Sequence, residues 1–214
     1  MFAAVCVKYL EIAKTQIKLT LRMNLLFTLL IVAFTPLIFG ISNLDSITSS
    51  FILERFVSLT GIVLLTPVFF PEQDKNIAEL VESKHTEMTV VYLIRFVLAA
   101  VSLYILISGY ITVMILMSCE FEVLTFIIGT FATAFFLGAL GFITYAISDN
   151  IVTGYFVPLG YYTFNIFVGS EQLKNIYLFT LTKNSLTEKF WLLGIGTVFI
   201  IAGILFKYIF KTIK

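Results

Sequence analysis

Residues 96–119 read FVLAAVSLYILISGYITVMILMSC and contain no charged side chain. An α-helix rises about 1.5 Å per residue, so this run can cross the roughly 30 Å hydrocarbon core of a bilayer. Arg95 precedes the run and Glu120 follows it, which favours placing both ends near the polar headgroups. This stretch predicts a transmembrane helix and decides the fold class of the chain.

Five more apolar windows of similar character lie along the chain. Hydrophobic residues make up 59% of the sequence and charged residues only 13%, against about 25% charged in soluble domains. Too little polar surface remains to coat a globule in water, so lipid must be the solvent for much of the protein. We therefore predict an all-α integral membrane protein with a single domain, 1–214, and six spans at 23–44, 48–71, 96–119, 123–148, 150–170 and 190–206.

The distribution of lysine and arginine predicts the orientation, because these residues collect on the cytoplasmic side of a membrane. Placing the N-terminus inside predicts a multi-pass protein of the cytoplasmic membrane with both termini in the cytoplasm. Cys6 and Cys119 then lie on opposite sides of the membrane as two free thiols. Of the 14 Lys and Arg residues, ten are cytoplasmic in this orientation: Lys8, Lys14, Lys18, Arg22, Lys75, Lys84, Arg95, Lys207, Lys211 and Lys214.

The first 22 residues are too charged to span a bilayer but have a helical periodicity. Their charged residues fall within an arc of about 120°, opposite an apolar arc, which predicts an amphipathic helix lying in the membrane interface. Such a helix is either a simple anchor or a lever leading into the first span. The charged arc contains Lys8, Glu11, Lys14, Lys18 and Arg22, and the apolar arc Cys6, Leu10, Ala13, Ile17 and Leu21.

The connection at residues 71–88 is the only sizeable cytoplasmic one between spans. Pro71 suits a first helical position, and acidic residues after it favour a helix N-terminus. Ile77, Leu80 and Val81 form an apolar stripe at i, i+3 and i+4. The connection is either a solvated linker or a short helix that docks a cytoplasmic protein.

On the opposite side, residues 171–189 mix aromatic with polar residues, which predicts an ordered segment. Gly154, Pro158, Gly160 and Gly169 interrupt the span before it. This pattern is typical of a helix that bends or half re-enters near the outer face.

The small residues of the fourth span permit close helix contact, either within the chain or in a dimer. These residues are Gly129, Thr133, Ala134, Gly138 and Gly141.

The usual chemistry of membrane enzymes is absent from the sequence. A Gly-Lys dipeptide, which a phosphate-binding P-loop requires, does not occur. His85 is the only histidine, so a pair of histidine metal ligands is excluded. Glu54 and Arg55 are the only charged residues predicted within a span. They either snorkel or neutralise each other, or they contact substrate on its path or at an outer gate.

The order of these elements resembles the permease subunits of type 2 ABC exporters over essentially the whole chain. The most specific stretch is TPVFFPEQDKNIAELVESKHTEMTVVYLIR, residues 66–95. It is similar to that family's Pro-Glu, Ile-x-Glu-Leu stripe and basic residue entering the third span. A Gly-rich fourth span, a tiny turn at 148–150 and an ordered outer segment complete the likeness.

The resemblance implies a bacterial, non-catalytic subunit that binds no cofactor itself. Two permeases, the second a copy or a relative, would assemble with two separate ATPase subunits that carry ATP and Mg²⁺. Substrate would pass between two copies of spans one, two and five, and antimicrobial or amphipathic peptides are the implied cargo. The rival interpretation is a non-transporting scaffold or sensor that recruits a partner through 71–88. The implied ATPase contacts are Glu72, Asp74, Ile77, Glu79, Leu80 and Val81.

Overall fold

A computed structural model describes residues 21–73, 88–183 and 186–213, and within these ranges the regular structure is entirely helical. Six helical stretches are long and apolar enough to cross a membrane, which confirms the predicted number of spans. We number them span one to span six: Arg22–Phe39, Ser46–Pro71, Thr89–Leu116, Val123–Ser148, Ile151–Val168 and Thr187–Ile209.

The helices of spans three and six extend beyond these bounds, to Met88–Leu116 and Thr187–Ile213. Spans one and five end at glycines. Gly40 has φ of +75° and Gly169 has φ of +77°, a left-handed backbone that glycine adopts without a steric penalty. Span one therefore stops before residue 44, the predicted end.

The connections define two ends of the bundle. We call one the loop end, which holds the turns at 40–45 and 117–122 and the segment at 169–183. The two turns are joined because the N–H of Asn43 donates to the carbonyl oxygen of Met117 at 3.0 Å. We call the other the termini end, where span one begins, span six finishes and the turn at 149–150 joins spans four and five.

Two predicted elements fall outside the described residues. The interfacial helix was predicted for 1–22 and the coupling helix for 71–88. The structure describes only the last residues of the first, and the flanks at 71–73 and 88 of the second. Both helices stay predictions.

Span two is assembled from four helical pieces. Its bounds confirm that it begins near residue 48 and includes Glu54 and Arg55. Asp45 caps its first turn by accepting a hydrogen bond from the N–H of Thr48 at 3.3 Å. The backbone at Pro67 leaves helical geometry. The pieces are the α-helices Ser46–Arg55 and Thr60–Leu65 and the 3-10 helices Val57–Leu59 and Thr66–Gln73.

Spans two and four touch backbone to backbone. A β-carbon added at Gly61 would lie 1.9 Å from the carbonyl oxygen of Ala134, and one at Gly138 would lie 2.5 Å from that of Gly61. Glycine is required where two helices approach this closely. The small residues of span four therefore serve packing inside the chain.

Burial divides the spans into two groups. In the most apolar 18-residue window, 72% of span two and 61% of span four is buried. The corresponding shares for spans one and five are 11% and 17%. Spans two and four thus lie at the centre of the bundle, and spans one and five lie at its flank.

Candidate functional site

A buried ion pair joins span two to span six. The ammonium group of Lys189 contacts the carboxylate of Glu54, and the side chains are 0% and 2% exposed. A charge withdrawn from water is very costly unless it is paired and hydrogen-bonded. The environment of this pair must therefore satisfy both groups.

Each member of the pair has further hydrogen-bond partners. The Glu54 carboxylate accepts from the backbone N–H groups of Thr180 at 2.9 Å and Leu181 at 3.0 Å. The Lys189 ammonium also donates to Oγ1 of Thr133 at 2.8 Å and to the carbonyl oxygen of Leu178 at 2.5 Å. Its three N–H donors thereby have three acceptors, so the charge is fully compensated.

The backbone that the pair binds belongs to a segment that returns into the bundle. We call residues 176–182 the re-entrant segment. Leu178, Phe179, Thr180 and Leu181 are all buried, although residues 177–180 form no regular helix. Irregular backbone at membrane depth is tolerated only where protein satisfies its polar groups, and Glu54 and Lys189 do so here.

Spans two and five hold the same segment at other points. The N–H of Leu178 donates to Oδ1 of Asn165 at 3.0 Å, and the hydroxyl of Tyr161 donates to the carbonyl oxygen of Ile176 at 2.6 Å. Oγ of Ser50 and Oγ1 of Thr182 are 3.0 Å apart. Contacts from spans two, four, five and six thus fix the re-entrant segment as part of the core.

The sequence predicted re-entry but not its form. A bent or half re-entrant helix was expected, whereas residues 177–180 form no regular helix and are buried from Leu178 onward. The side chains of Glu54, Asn165 and Lys189 supply the hydrogen bonds that a helix would make internally.

The ion pair lies well below the loop end. Glu54 is eight residues into span two and Thr133 ten residues into span four, which corresponds to roughly 12 and 15 Å of helical rise. Lys189 reaches this depth although span six begins at Thr187, because the re-entrant segment carries the chain inward first. Sequence analysis placed Lys189 in an outer loop and missed its pairing. The sequence signal for this pair was a lysine directly before one apolar span and a glutamate inside another.

Arg55 is not the partner of Glu54, so the expected mutual neutralisation of these neighbours is wrong. Its guanidinium carbon lies 4.5 Å from the ring centroid of Phe51 and 5.2 Å from that of Phe179. The roles of Glu54 and Arg55 on a substrate path or at an outer gate stay predictions. Of the expected ATPase contacts, Glu72 lies in the 3-10 helix Thr66–Gln73, and Asp74, Ile77, Glu79, Leu80 and Val81 lie outside the described residues.

An open groove of about 580 Å³ runs between spans one, two and five. Its wall is almost entirely apolar, with Asn24 and Thr35 as the polar exceptions. The hydroxyl of Thr35 donates to the carbonyl oxygen of Ile31 at 2.9 Å, which leaves the wall less polar still. The lining residues are Asn24, Phe27, Leu30, Ile31, Phe34, Thr35 and Ile38 of span one, Phe56 and Val63 of span two, and Tyr155 of span five.

A second charged region marks the termini end. Arg95 is buried and donates to the carbonyl oxygen of Val68 at 3.1 Å. Lys207 pairs with Asp149 at the turn between spans four and five and lies 5.5 Å from the ring centroid of Phe69. These contacts tie spans two, three, four and six together near the 71–88 connection.

Comparisons with models of protein families, with curated proteins and with solved structures found no match. Among the residues that the structure describes, no three His, Cys, Asp or Glu side chains come together as metal ligands. The site is therefore interpreted from its own geometry, as a fixed loop end beside an open apolar groove.

Proposed function

We propose that this chain is the permease subunit of an ATP-driven exporter in the cytoplasmic membrane. One observation carries the proposal: the apolar groove lies between spans one, two and five. These are the three spans that the resemblance to type 2 ABC exporters predicts for the substrate path. Pockets for apolar or amphipathic ligands fall in the range of about 300–1,000 Å³, and a groove of about 580 Å³ suits such a cargo.

The packing of the two flanking spans supports this reading. Spans one and five leave most of their surface unpacked, yet they frame the groove. A second permease opposite this flank would enclose the groove without altering the core. The partner permease is a copy of this chain or a relative of it.

The buried ion pair has a positioning role in this proposal. Glu54 and Lys189 hold the re-entrant segment in place within the bundle. A rigid segment would give the exporter a defined outer closure, and span one would move against it, whereas span five is bound to it through Tyr161 and Asn165. Substrate would contact the groove wall and Arg55 rather than the buried Glu54.

The energy comes from another chain in this proposal. Two cytoplasmic ATPases would bind ATP and Mg²⁺ and dock on the 71–88 connections. The stripe Ile77, Leu80 and Val81 would enter an apolar groove of each ATPase, with the acidic residues around it. Movement of these connections would then change the angle of span two, which ends beside them, and of span three, which begins beside them.

The intact assembly tests the proposal directly. Purification of the tagged chain in detergent should recover an ATP-hydrolysing protein, and native mass measurement should give two permeases and two ATPases. The purified chain alone should hydrolyse no ATP. A functional protein that copurifies with no ATPase would favour the scaffold or sensor instead.

A matched pair of variants tests the docking surface. Leu80→Asp places an unpaired charge in the proposed interface, at an expected cost of about 2–5 kcal/mol of binding free energy. It should insert normally but lose the ATPase. Ser83→Asp adds the same charge outside the stripe and should keep the ATPase; loss in both variants would contradict the assignment of the stripe.

Thiol labelling in intact cells tests the orientation. With Cys6 and Cys119 replaced, a cysteine at the exposed position 42 should react with a membrane-impermeant reagent, and one at position 83 should not. Labelling at position 83 alone would reverse the topology and remove the docking surface from the cytoplasm.

A further inference from the structure

We propose that Arg55 binds the phosphate of a phospholipid in the leaflet at the loop end, with one acyl chain of that lipid in the groove between spans one, two and five. Within residues 21–73, 88–183 and 186–213 the guanidinium contacts two aromatic rings and no carboxylate. It is a partly exposed cation in a spanning segment. Such a charge needs a counter-ion in the membrane.

The chain itself does not supply that counter-ion. Glu54 precedes Arg55, and successive helical residues point about 100° apart. Glu54 faces the core, where Lys189 and two backbone N–H groups bind it. Arg55 points away from this ion pair and lies against the rings of Phe51 and Phe179.

The guanidinium lies at a depth that lipid headgroups can reach. Span two has 26 residues, roughly 39 Å of helix, so about 5 Å at each end projects beyond a hydrocarbon core of roughly 30 Å. The side chain of Arg55 points back toward Phe51, one turn closer to the loop end. The level of Phe51 is roughly 8 Å from Ser46, which places the charge within about 3 Å of the headgroup boundary.

The groove beside Arg55 fits an acyl chain. Phe56, the next residue, lines the groove, and its ring lies 6.2 Å from that of Phe51, the ring that Arg55 covers. The groove runs along span one from Asn24 to Ile38 with an almost wholly apolar wall. A cation next to a long apolar channel is complementary to an amphipathic anion. Arginine matches the oxygen geometry of phosphate with two parallel hydrogen bonds.

Native mass spectrometry of the purified full chain tests the proposal with two lipids that share the same acyl chains. Phosphatidylglycerol carries the phosphate, and diacylglycerol lacks it. Wild type should retain phosphatidylglycerol at least about tenfold more tightly than diacylglycerol, as expected for a charge-assisted contact. Equal retention of the two lipids by wild type would overturn the proposal, and this result needs no variant.

Substitutions then separate the charge from the groove. Arg55→Gln should abolish the preference for phosphatidylglycerol, and Arg55→Lys should keep part of it, because lysine retains the charge without the planar fork. Ile31→Trp fills the groove and should weaken both lipids. Lys207→Gln, which removes a cation at the termini end, should change the preference less than about twofold. Unchanged lipid binding by Arg55→Gln would overturn the proposal. If wild type instead forms a dimer that contains no lipid, and Arg55→Gln dissociates that dimer, the surface is occupied by something other than a lipid.

The lipid occupies the groove proposed for substrate, so the two ligands would compete for it, but lipid binding does not depend on transport. A chain that binds no ATPase could still hold the lipid, and a working exporter could fail the lipid test. The two outcomes are therefore distinguishable.

Discussion

Spans two and four and spans one and five are built from similar residues but occupy opposite environments. In their most apolar windows the first pair is 72% and 61% buried, and the second pair 11% and 17%. Gly61 and Gly138 bring the first pair into backbone contact. A β-carbon at Gly160 of span five would have no neighbour within 4 Å. Gly154 of the same span is packed against span four, where an added β-carbon would lie 2.9 Å from the β-carbon of Tyr145, so span five is tightly packed at Gly154 and open at Gly160.

The difference shows how polar chemistry is distributed in this protein. Near the core, Glu54 and Lys189 are enclosed and fully hydrogen-bonded, so they hold a structure in place. At the flank, Arg55 stays partly exposed beside an open apolar groove. Buried, hydrogen-bonded charge and partly exposed charge are therefore separated in space.

The largest effect should come from breaking the enclosed ion pair. Lys189→Met leaves Glu54 as an unpaired buried charge and should lower the free energy of unfolding by about 3–5 kcal/mol. Adding Glu54→Leu should recover only part of the loss, because it removes the unpaired charge but leaves the buried N–H groups of Thr180 and Leu181 without their acceptor. Unfolding by denaturant in detergent measures both.

The pair at the termini end provides the control for that experiment. Lys207 and Asp149 are 18% and 75% exposed, so Lys207→Met should cost less than about 1 kcal/mol. If the two lysine variants lose the same stability, the contrast between an enclosed and an exposed pair does not hold.

Leucine truncation compares the two regions through packing alone. Leu65 is fully buried, whereas Leu30 is 53% exposed on the groove wall. Leu65→Ala should destabilise by about 2–5 kcal/mol through the cavity it leaves, and Leu30→Ala by well under half of that loss. Thermal unfolding of both variants gives the ratio, and a ratio near one would mean that another chain or span covers Leu30.

Glycine substitution sharpens the comparison at the level of the backbone. Gly61→Ala forces a methyl group against the carbonyl oxygen of Ala134 and should cost about 1–3 kcal/mol or more. Gly160→Ala meets open space and should be neutral or stabilise its helix by up to about 1 kcal/mol. Loss of stability in Gly160→Ala would show that the face of span five at Gly160 is packed in the native assembly.

The smallest effect concerns the cap that begins span two. Side-chain and backbone hydrogen bonds from Thr48 hold the pKa of Asp45 below its ordinary value. A lowered folded pKa contributes stability that is present above the pKa of the unfolded chain and is lost as the pH falls through the folded value. Asp45→Asn should keep the cap but flatten this acid dependence slightly. If wild type and Asp45→Asn lose stability in the same way as the pH falls, other carboxylates cause the acid dependence.

Much of the architecture was predictable because each residue contributes separately to the hydrophobicity of a segment. Six apolar windows and their approximate ends follow from run length and flanking charge, since the bilayer sets a single length scale. The start of span two before Glu54 was also predictable, because residues 56–71 alone are too few to cross. The end of span one at Phe39 was not, because it depends on one glycine backbone angle rather than on composition.

The functional site was predictable only in part. Glu54 and Arg55 were identified because charge within a span is rare and costly. Glu54 faces Lys189, whereas Arg55 lies against Phe51 and Phe179, and this difference depends on the rotation of span two. Lys189 was missed because its distance along the chain from Glu54 gives no hint of contact.

The sequence by itself determined that lipid is the solvent and how often the chain can cross it, and it predicted which side favours its cations. These properties depend on transfer free energies that add along the chain. Only the tertiary structure decided that residues 176–182 return into the core and that Glu54 and Lys189 meet there. The groove between spans one, two and five was decided in the same way. Inside a bilayer apolar side chains gain little by leaving lipid, so close backbone approach and directional hydrogen bonds choose the neighbours. Those depend on geometry among residues far apart in the sequence.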